Sequence, residues 1–311
     1  MNKYTTGSTY NKDFIDTSCE MVPNFAVFKA VPDEKHVFEK REGYVSYYHI
    51  ARALENGSIT ELDKIIVSIV AVFGSCCCTS KIIREMLVLM NIQVSDNVFK
   101  SSLKRLHRYQ LINFSRFYAP NERISNFRII TLTIFGSKLA RSLGVNHRFN
   151  AMAVATAPAY AVKARAEMAQ LICNFLKNID VDYFKVRPVI VVNAELGAIV
   201  RPSLMISIGG ETLSFEVVRR HDGWREDLAD KLKRYTSVFK DDSFPTIVIN
   251  GEDEEMNLEI SEMLKKTGFN KEVLYTDDLA TFGKMFKYSL YQFDESGNKQ
   301  HFMITSAEHV A

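Results

Sequence analysis

At 311 residues, 47% hydrophobic and 24% charged, the chain has the composition of an ordinary globular protein and the length for two domains with separate cores. The longest apolar run, Ile65 to Phe73, is interrupted by Ser68 and is too short to span a bilayer, which excludes a helical membrane anchor from the expectation. The formal net charge is only +2, yet Lys81 to Arg148 holds twelve Lys or Arg against three Asp or Glu, the asymmetry of a polyanion-facing module joined to a more acidic one.

The five cysteines, Cys19, Cys76, Cys77, Cys78 and Cys173, have neither the spacing of a disulfide framework nor that of a zinc site. They read as reduced, buried thiols. With no signal-peptide core in MNKYTTGSTYNKDF, the expected location is cytoplasmic, with no membrane partner.

Residues 1–58 read as an N-terminal tail and extension. Its first 20 residues are polar, and Tyr44, Tyr47, Tyr48 and Ile50 are available to pack onto the adjoining domain. That first domain is expected over 59–148. Thr60 and Asp63 have the spacing of a capping pair, and Leu62, Ile65, Ile66, Ile69 and Val70 carry a helix to Gly74. A second helix spans Thr79 to Met90. Ser95 caps a third, in which Phe99, Ser102, Leu103, Leu106 and Tyr109 share one side. Asn97, Lys100, Ser101, Lys104 and Arg108 occupy the other, with Arg105 at its margin.

Two β-like runs, LINFSRFY and RISNFRIITLT, are joined across Ala119-Pro120-Asn121-Glu122, and Thr133 to Leu143 forms a closing helix. Three helices and a basic hairpin resemble a winged helix-turn-helix. The resemblance implies a third helix in the major groove of double-stranded DNA, and a hairpin carrying Arg116, Arg123 and Arg128 that touches the backbone or minor groove. The plainer alternative is a solvated basic face.

Residues 149–160, rich in Ala and containing Pro158, read as a linker before a second domain over 161–311. A helix over 161–178 precedes RPVIVVN, then Leu204, Ile206 and Ile208 alternate with Leu213, Phe215 and Val217 across the Gly209-Gly210 turn. A helix from Trp224, the strand FPTIVIN, a helix over 254–266, EVLYT and a helix from Asp277 complete the series; the segment after Tyr291 reads as peripheral. The fold class expected is therefore a two-domain α+β or α/β chain, a winged helix-turn-helix followed by a restriction-endonuclease-like α-β-β-β-α-β domain.

That order resembles the PD-(D/E)xK nuclease-like fold, with Pro202-Ser203 in the place of Pro-Asp and Glu216-Val217-Val218 in the place of Glu-x-Lys. Only Pro202 and Glu216 match the pattern. The resemblance implies a vestigial catalytic set of Glu216 and Ser203, with Glu167 as an additional acid and Lys231 or Lys233 as a substitute lysine. No cofactor is expected, and Mg²⁺ enters only if the site is an active nuclease. His221-Asp222 reads either as an acid/base or metal pair or as a polar turn. The sequence contains no P-loop, G-x-G-x-x-G, His-rich zinc spacing or nucleophile elbow, and the lack of an ATP site argues against a motor or helicase.

Phe215-Glu216-Val217-Val218-Arg219 and Lys231-Leu232-Lys233-Arg234-Tyr235, downstream of a winged helix, also resemble the replication-relaxation family of mobile elements. That resemblance implies a non-catalytic DNA-binding accessory protein of plasmid replication or conjugative DNA processing. Its implied partners are double-stranded DNA, a relaxase or replication proteins, and a second copy in a homodimer. The alternatives are a metal-dependent nuclease or nicking enzyme, and a transcriptional regulator whose C-terminal domain dimerises or senses a ligand.

Overall fold

The computed structural model describes residues 28–40, 43–73, 77–119, 128–147, 154–193, 198–239, 244–282 and 286–304. The chain is mixed α and β and divides into two compact units, one of residues 30–173, the other of residues 174–311 with Phe28 and Lys29. No described helix is long and apolar enough to cross a membrane.

In the 30–173 unit the order is β1 (Lys35–Phe38), α1 (Tyr47–Glu55), α2 (Glu61–Val72), β2 (Cys78–Thr79), α3 (Ser80–Leu89), α4 (Asp96–Arg108), β3 (Ile112–Tyr118), β4 (Ile129–Leu132) and α5 (Ile134–Ser142). The capping pair starts α2: Thr60 Oγ1 accepts from the Asp63 N–H at 3.4 Å, and Asp63 Oδ2 accepts from the Thr60 N–H at 2.7 Å. Such a cap contributes about 1 kcal/mol. Asn91 turns the chain between α3 and α4 at φ 59°, a left-handed conformation that Asn tolerates better than most residues. Ile66, Val67, Val70, Ile82, Ile83, Leu87, Leu103 and Leu106 are buried, each contributing about 1.5–3 kcal/mol by leaving water.

The four strands pair antiparallel in the order β1-β3-β4-β2. The first of them belongs to the segment to which the sequence assigned no role. β1 lies along the outer edge of β3 with Val37 opposite Arg116, and the Glu34–Lys163 pair (2.5 Å) fixes the turn before it. Gly136 sits where α5 meets the start of β3; a methyl group there would strike the Leu111 carbonyl.

Cys77, Cys78 and Cys173 are buried, and burial pushes the Cys77 thiol up to about 12. Cys19 and Cys76 lie outside the described residues.

Helix α6 (Ala159–Asn178) leads into the second series: β5 (Tyr183–Val186), β6 (Ile190–Asn193), β7 (Ala198–Val200), β8 (Leu204–Ile208), β9 (Glu211–Val217), α7 (Trp224–Val238), β10 (Thr246–Gly251), α8 (Glu254–Thr267), β11 (Val273–Asp277), α9 (Asp278–Phe282), β12 (Leu290–Phe293) and β13 (Lys299–Phe302). Seven strands form one sheet in the order β13-β12-β11-β10-β9-β8-β5. Strands β5, β8 and β9 run as an antiparallel meander, whereas β9, β10 and β11 are parallel. Parallel neighbours need a crossover, and α7 and α8 supply it.

Gly209 and Gly210 make the β8–β9 turn at φ 56° and 82°. Trp224, Leu228 and Leu232 of α7 and Met256, Ile260 and Leu264 of α8 share a buried cluster with Ile247 and Ile249 of β10. On β9, Phe215 meets Phe175 at 5.4 Å between ring centroids.

Two expectations are corrected here. RPVIVVN is not the first strand of the main sheet. Tyr183–Val186 takes that place beside β8, and Ile190–Asn193 pairs with Ala198–Val200 in a separate two-stranded sheet. The segment after Tyr291 is not peripheral either: β12 and β13 extend the sheet beyond β11, and Phe302 and Ile304 are buried.

Candidate functional site

Two groups of side chains carry the candidate chemistry, one in each unit. In the 30–173 unit, α4 buries Phe99, Ser102, Leu103 and Leu106, because the i, i+3, i+4, i+7 positions form one apolar stripe. The opposite face exposes Asn97, Lys100, Ser101, Lys104 and Arg108, the residues expected there. Arg105 departs from that expectation. Its Nε donates to Asp63 Oδ2 at 2.6 Å and one terminal nitrogen to Asp63 Oδ1 at 3.1 Å, while the Asp63 side chain is fully buried. A guanidinium held by both carboxylate oxygens at a helix cap is part of the fold's framework rather than of the exposed face.

The β3–β4 hairpin presents Arg116 and Arg128; Arg123 lies outside the described residues. Both arginines converge on one acceptor, with Glu39 Oε1 2.9 Å from Arg116 Nε and 2.7 Å from Arg128 Nε. The Arg128 guanidinium also lies 5.1 Å from the centre of the Phe114 ring, and the Phe114 and His107 rings meet tilted at 33° with centres 4.7 Å apart. Those contacts tie Arg128 to the C-terminal turn of the basic helix. Glu39 gave no sequence signal, since nothing in a short alternating segment marks one acid as the partner of arginines so far along the chain.

In the 174–311 unit, the antiparallel register that sets Leu204 opposite Phe215 puts Ser203 across from Glu216. Lys231 and Tyr235 are one turn apart on α7, the i, i+4 spacing that brings two side chains to the same face. All four meet. Ser203 Oγ donates to Glu216 Oε2 at 2.9 Å, Lys231 pairs with that same oxygen, and Tyr235 OH donates to Glu216 Oε1 at 2.7 Å. Ser214, two residues before Glu216 and therefore on the same side of β9, lies 2.8 Å from Tyr235 OH.

Burial, and then the neighbouring Glu216 carboxylate, push the Tyr235 phenol well above its ordinary range, so it stays protonated and donates. Lys231 is thus the lysine that meets the acid, while Val218 is half-buried against the apolar core. Glu167, the other acid expected, belongs to the 30–173 unit, where it is buried and accepts from Gln170 at 2.7 Å. Tyr235 as a donor to Glu216 was missed, although the spacing in KLKRY was its signal.

A divalent ion does not fit this set. Both oxygens of the single carboxylate already accept from protein donors, and an ion approaching Oε2 would have to replace the Lys231 ammonium. The arrangement can hold one negative charge in place; it offers no second acid to share a metal.

Farther along the strand end, Arg219 is entirely buried, donating to the Val218 carbonyl at 2.7 Å and to Asp278 at 2.8 Å. Burial raises the Asp278 carboxyl to about 6, against the pull of Arg219. This arginine of the strand-end motif therefore holds β9 to the start of α9. His221 Nδ1 lies 2.8 Å from the Asp222 carbonyl oxygen, and its Nε2 is 3.7 Å from Asp227, the geometry of a polar turn entering α7.

Set against protein-family models, curated proteins and solved structures, the chain finds no match in any of the three comparisons.

Proposed function

We propose that the chain is a non-catalytic, double-stranded-DNA-binding accessory protein of plasmid or conjugative-element DNA processing. Residues 59–148 act as its winged helix, and the C-terminal unit is a nuclease-like platform that no longer cleaves. The observation that carries the reading is the exposed basic face of α4, Lys100, Lys104 and Arg108, on the helix that follows α3 after residues 90–95. The order helix, short strand, helix, helix, strand, strand, with β2 pairing to β4, supports a winged-helix assignment. In this arrangement α4 enters the major groove and the β3–β4 hairpin is the wing.

The meander β5-β8-β9 followed by α7 and the parallel strand β10 supports the nuclease-like assignment. The carboxylate of Glu216, held by Ser203, Lys231 and Tyr235, supports a structural rather than catalytic use of that fold. A relaxase, a replication protein or a second copy of the chain is the partner proposed for this platform. One observation favours the nuclease alternative: Lys231 reaches Glu216 from the helix, as a relocated catalytic lysine would.

Anisotropy of a labelled duplex titrated with the protein tests the proposal. The wild type binds, and the Lys100→Ala, Lys104→Ala, Arg108→Ala variant binds more weakly. No binding by the wild type at low salt sinks the reading.

A further inference from the structure

The two arginines of the β3–β4 hairpin do not point into solvent alone. Glu39, the residue just after β1, is placed by its backbone N–H, which donates to the Phe114 carbonyl at 2.8 Å and so continues the β1–β3 ladder. Its Oε1 then takes both arginines, at 2.9 and 2.7 Å. The side chains are 27% exposed for Glu39, 39% for Arg116 and 48% for Arg128, so the cluster is open enough to exchange partners. An ion pair at this exposure contributes little to stability. Two guanidinium groups converging on one anionic oxygen are also the arrangement that recognises a phosphate.

We propose that Glu39 is an internal phosphate mimic: Arg116 and Arg128 form the wing's DNA-phosphate site, and Glu39 fills it until a backbone phosphate takes its place. The inference rests on the reading that α4 and the β3–β4 hairpin face duplex DNA. It assigns to β1, which ends just before Glu39, the further role of bringing a competing negative charge to the wing. The contact sets a threshold. A duplex that docks on α4 alone meets a wing already neutralised, and only one whose backbone reaches the hairpin recovers the two arginines. Phe114 and His107 link Arg128 to the end of α4, which puts the exchange beside the helix that docks first.

The test is Glu39→Gln in the full chain, titrated with a random-sequence duplex across a range of salt. Glu61→Gln is the control: it removes one negative charge from an 82%-exposed side chain that pairs with Lys64 instead. The expected result for Glu39→Gln is a gain in affinity of about three- to tenfold, with the log–log salt slope steeper by about 0.9. Glu61→Gln should change affinity by less than about twofold, because its carboxylate pairs with Lys64 rather than with a hairpin arginine and is screened by solvent. In an Arg116→Gln, Arg128→Gln background the gain should vanish. Equal gains from the two glutamate variants, or a gain that survives loss of both arginines, would overturn the inference. An unchanged Glu39→Gln affinity beside a binding wild type overturns it alone; no binding by either protein at any salt removes the DNA-binding reading as well.

Discussion

Lys231→Met separates a structural Glu216 site from a catalytic one. The substitution keeps the aliphatic stem and deletes the ammonium, leaving a carboxylate whose side chain is 2% exposed with only the hydroxyls of Ser203 and Tyr235. Removing one partner of a fully buried pair costs about 3–5 kcal/mol. Here Lys231 is 32% exposed and two neutral donors remain, which brings the expected loss to about 2–3 kcal/mol. Adding Glu216→Gln removes the stranded charge, so the double variant should lie within about 1 kcal/mol of wild type, far from the sum of the single losses. Urea denaturation read by tryptophan fluorescence reports on this unit alone, because Trp224 is the only tryptophan and is buried against α8 and β10. A Lys231→Met variant within about 0.5 kcal/mol of wild type would refute the reasoning. So would metal-dependent nicking of supercoiled plasmid by the wild type that Lys231→Met abolishes at unchanged stability, which would make Lys231 a catalytic lysine.

Arg105→Ala should destabilise the 30–173 unit by about 3 kcal/mol, because it strands the buried Asp63 carboxylate, whereas Lys100→Ala should change stability by less than about 0.5 kcal/mol. Urea midpoints followed by circular dichroism check this, and equal effects from the two would return Arg105 to the exposed face. His36 carries a pH dependence: burial first, then the charge of Arg165, lowers its pKa from 6.5 to about 4. The imidazole is neutral in the native state and protonates first when unfolded. Its contribution is complete above about 6.5 and is lost as pH falls toward about 4, roughly 2 kcal/mol after allowing for its partial exposure. His36→Gln should flatten the fall in stability over that window, and an identical pH profile would show that His36 is not its source.

Local signals were the legible ones. The Thr60/Asp63 capping pair, the Gly209-Gly210 turn and the apolar stripe of α4 each depend on residues within a few positions of one another, and each lies where the sequence put it. Long-range pairing was not legible. KHVF is four residues with a weak alternation, and it becomes a strand only because the outer edge of β3 is available to it. RPVIVVN has the stronger β-character, yet YFKV occupies the main sheet, since register and the reach of the chain after α6 decide which run pairs with β8. At the site, the spacing of Lys231 and Tyr235 was visible, but their common acceptor was not, because Glu216 belongs to a different element. Arg105 shows the converse: a helical wheel places it at the margin of the basic face, and only the position of Asp63 on α2 reveals that its charge is already used.

The central claim, that α4 lies on duplex DNA, is tested most directly by the salt dependence of binding in the Lys100→Ala, Lys104→Ala, Arg108→Ala variant. All three side chains are exposed and outside the apolar stripe, so the urea midpoint should stay at the wild-type value. Each lost phosphate contact should lower the log–log salt slope by about 0.9, so three should lower it by about 2.7 and weaken binding about a hundredfold near 0.15 M salt. A folded variant with the wild-type affinity and slope would contradict the account and remove α4 from the interface.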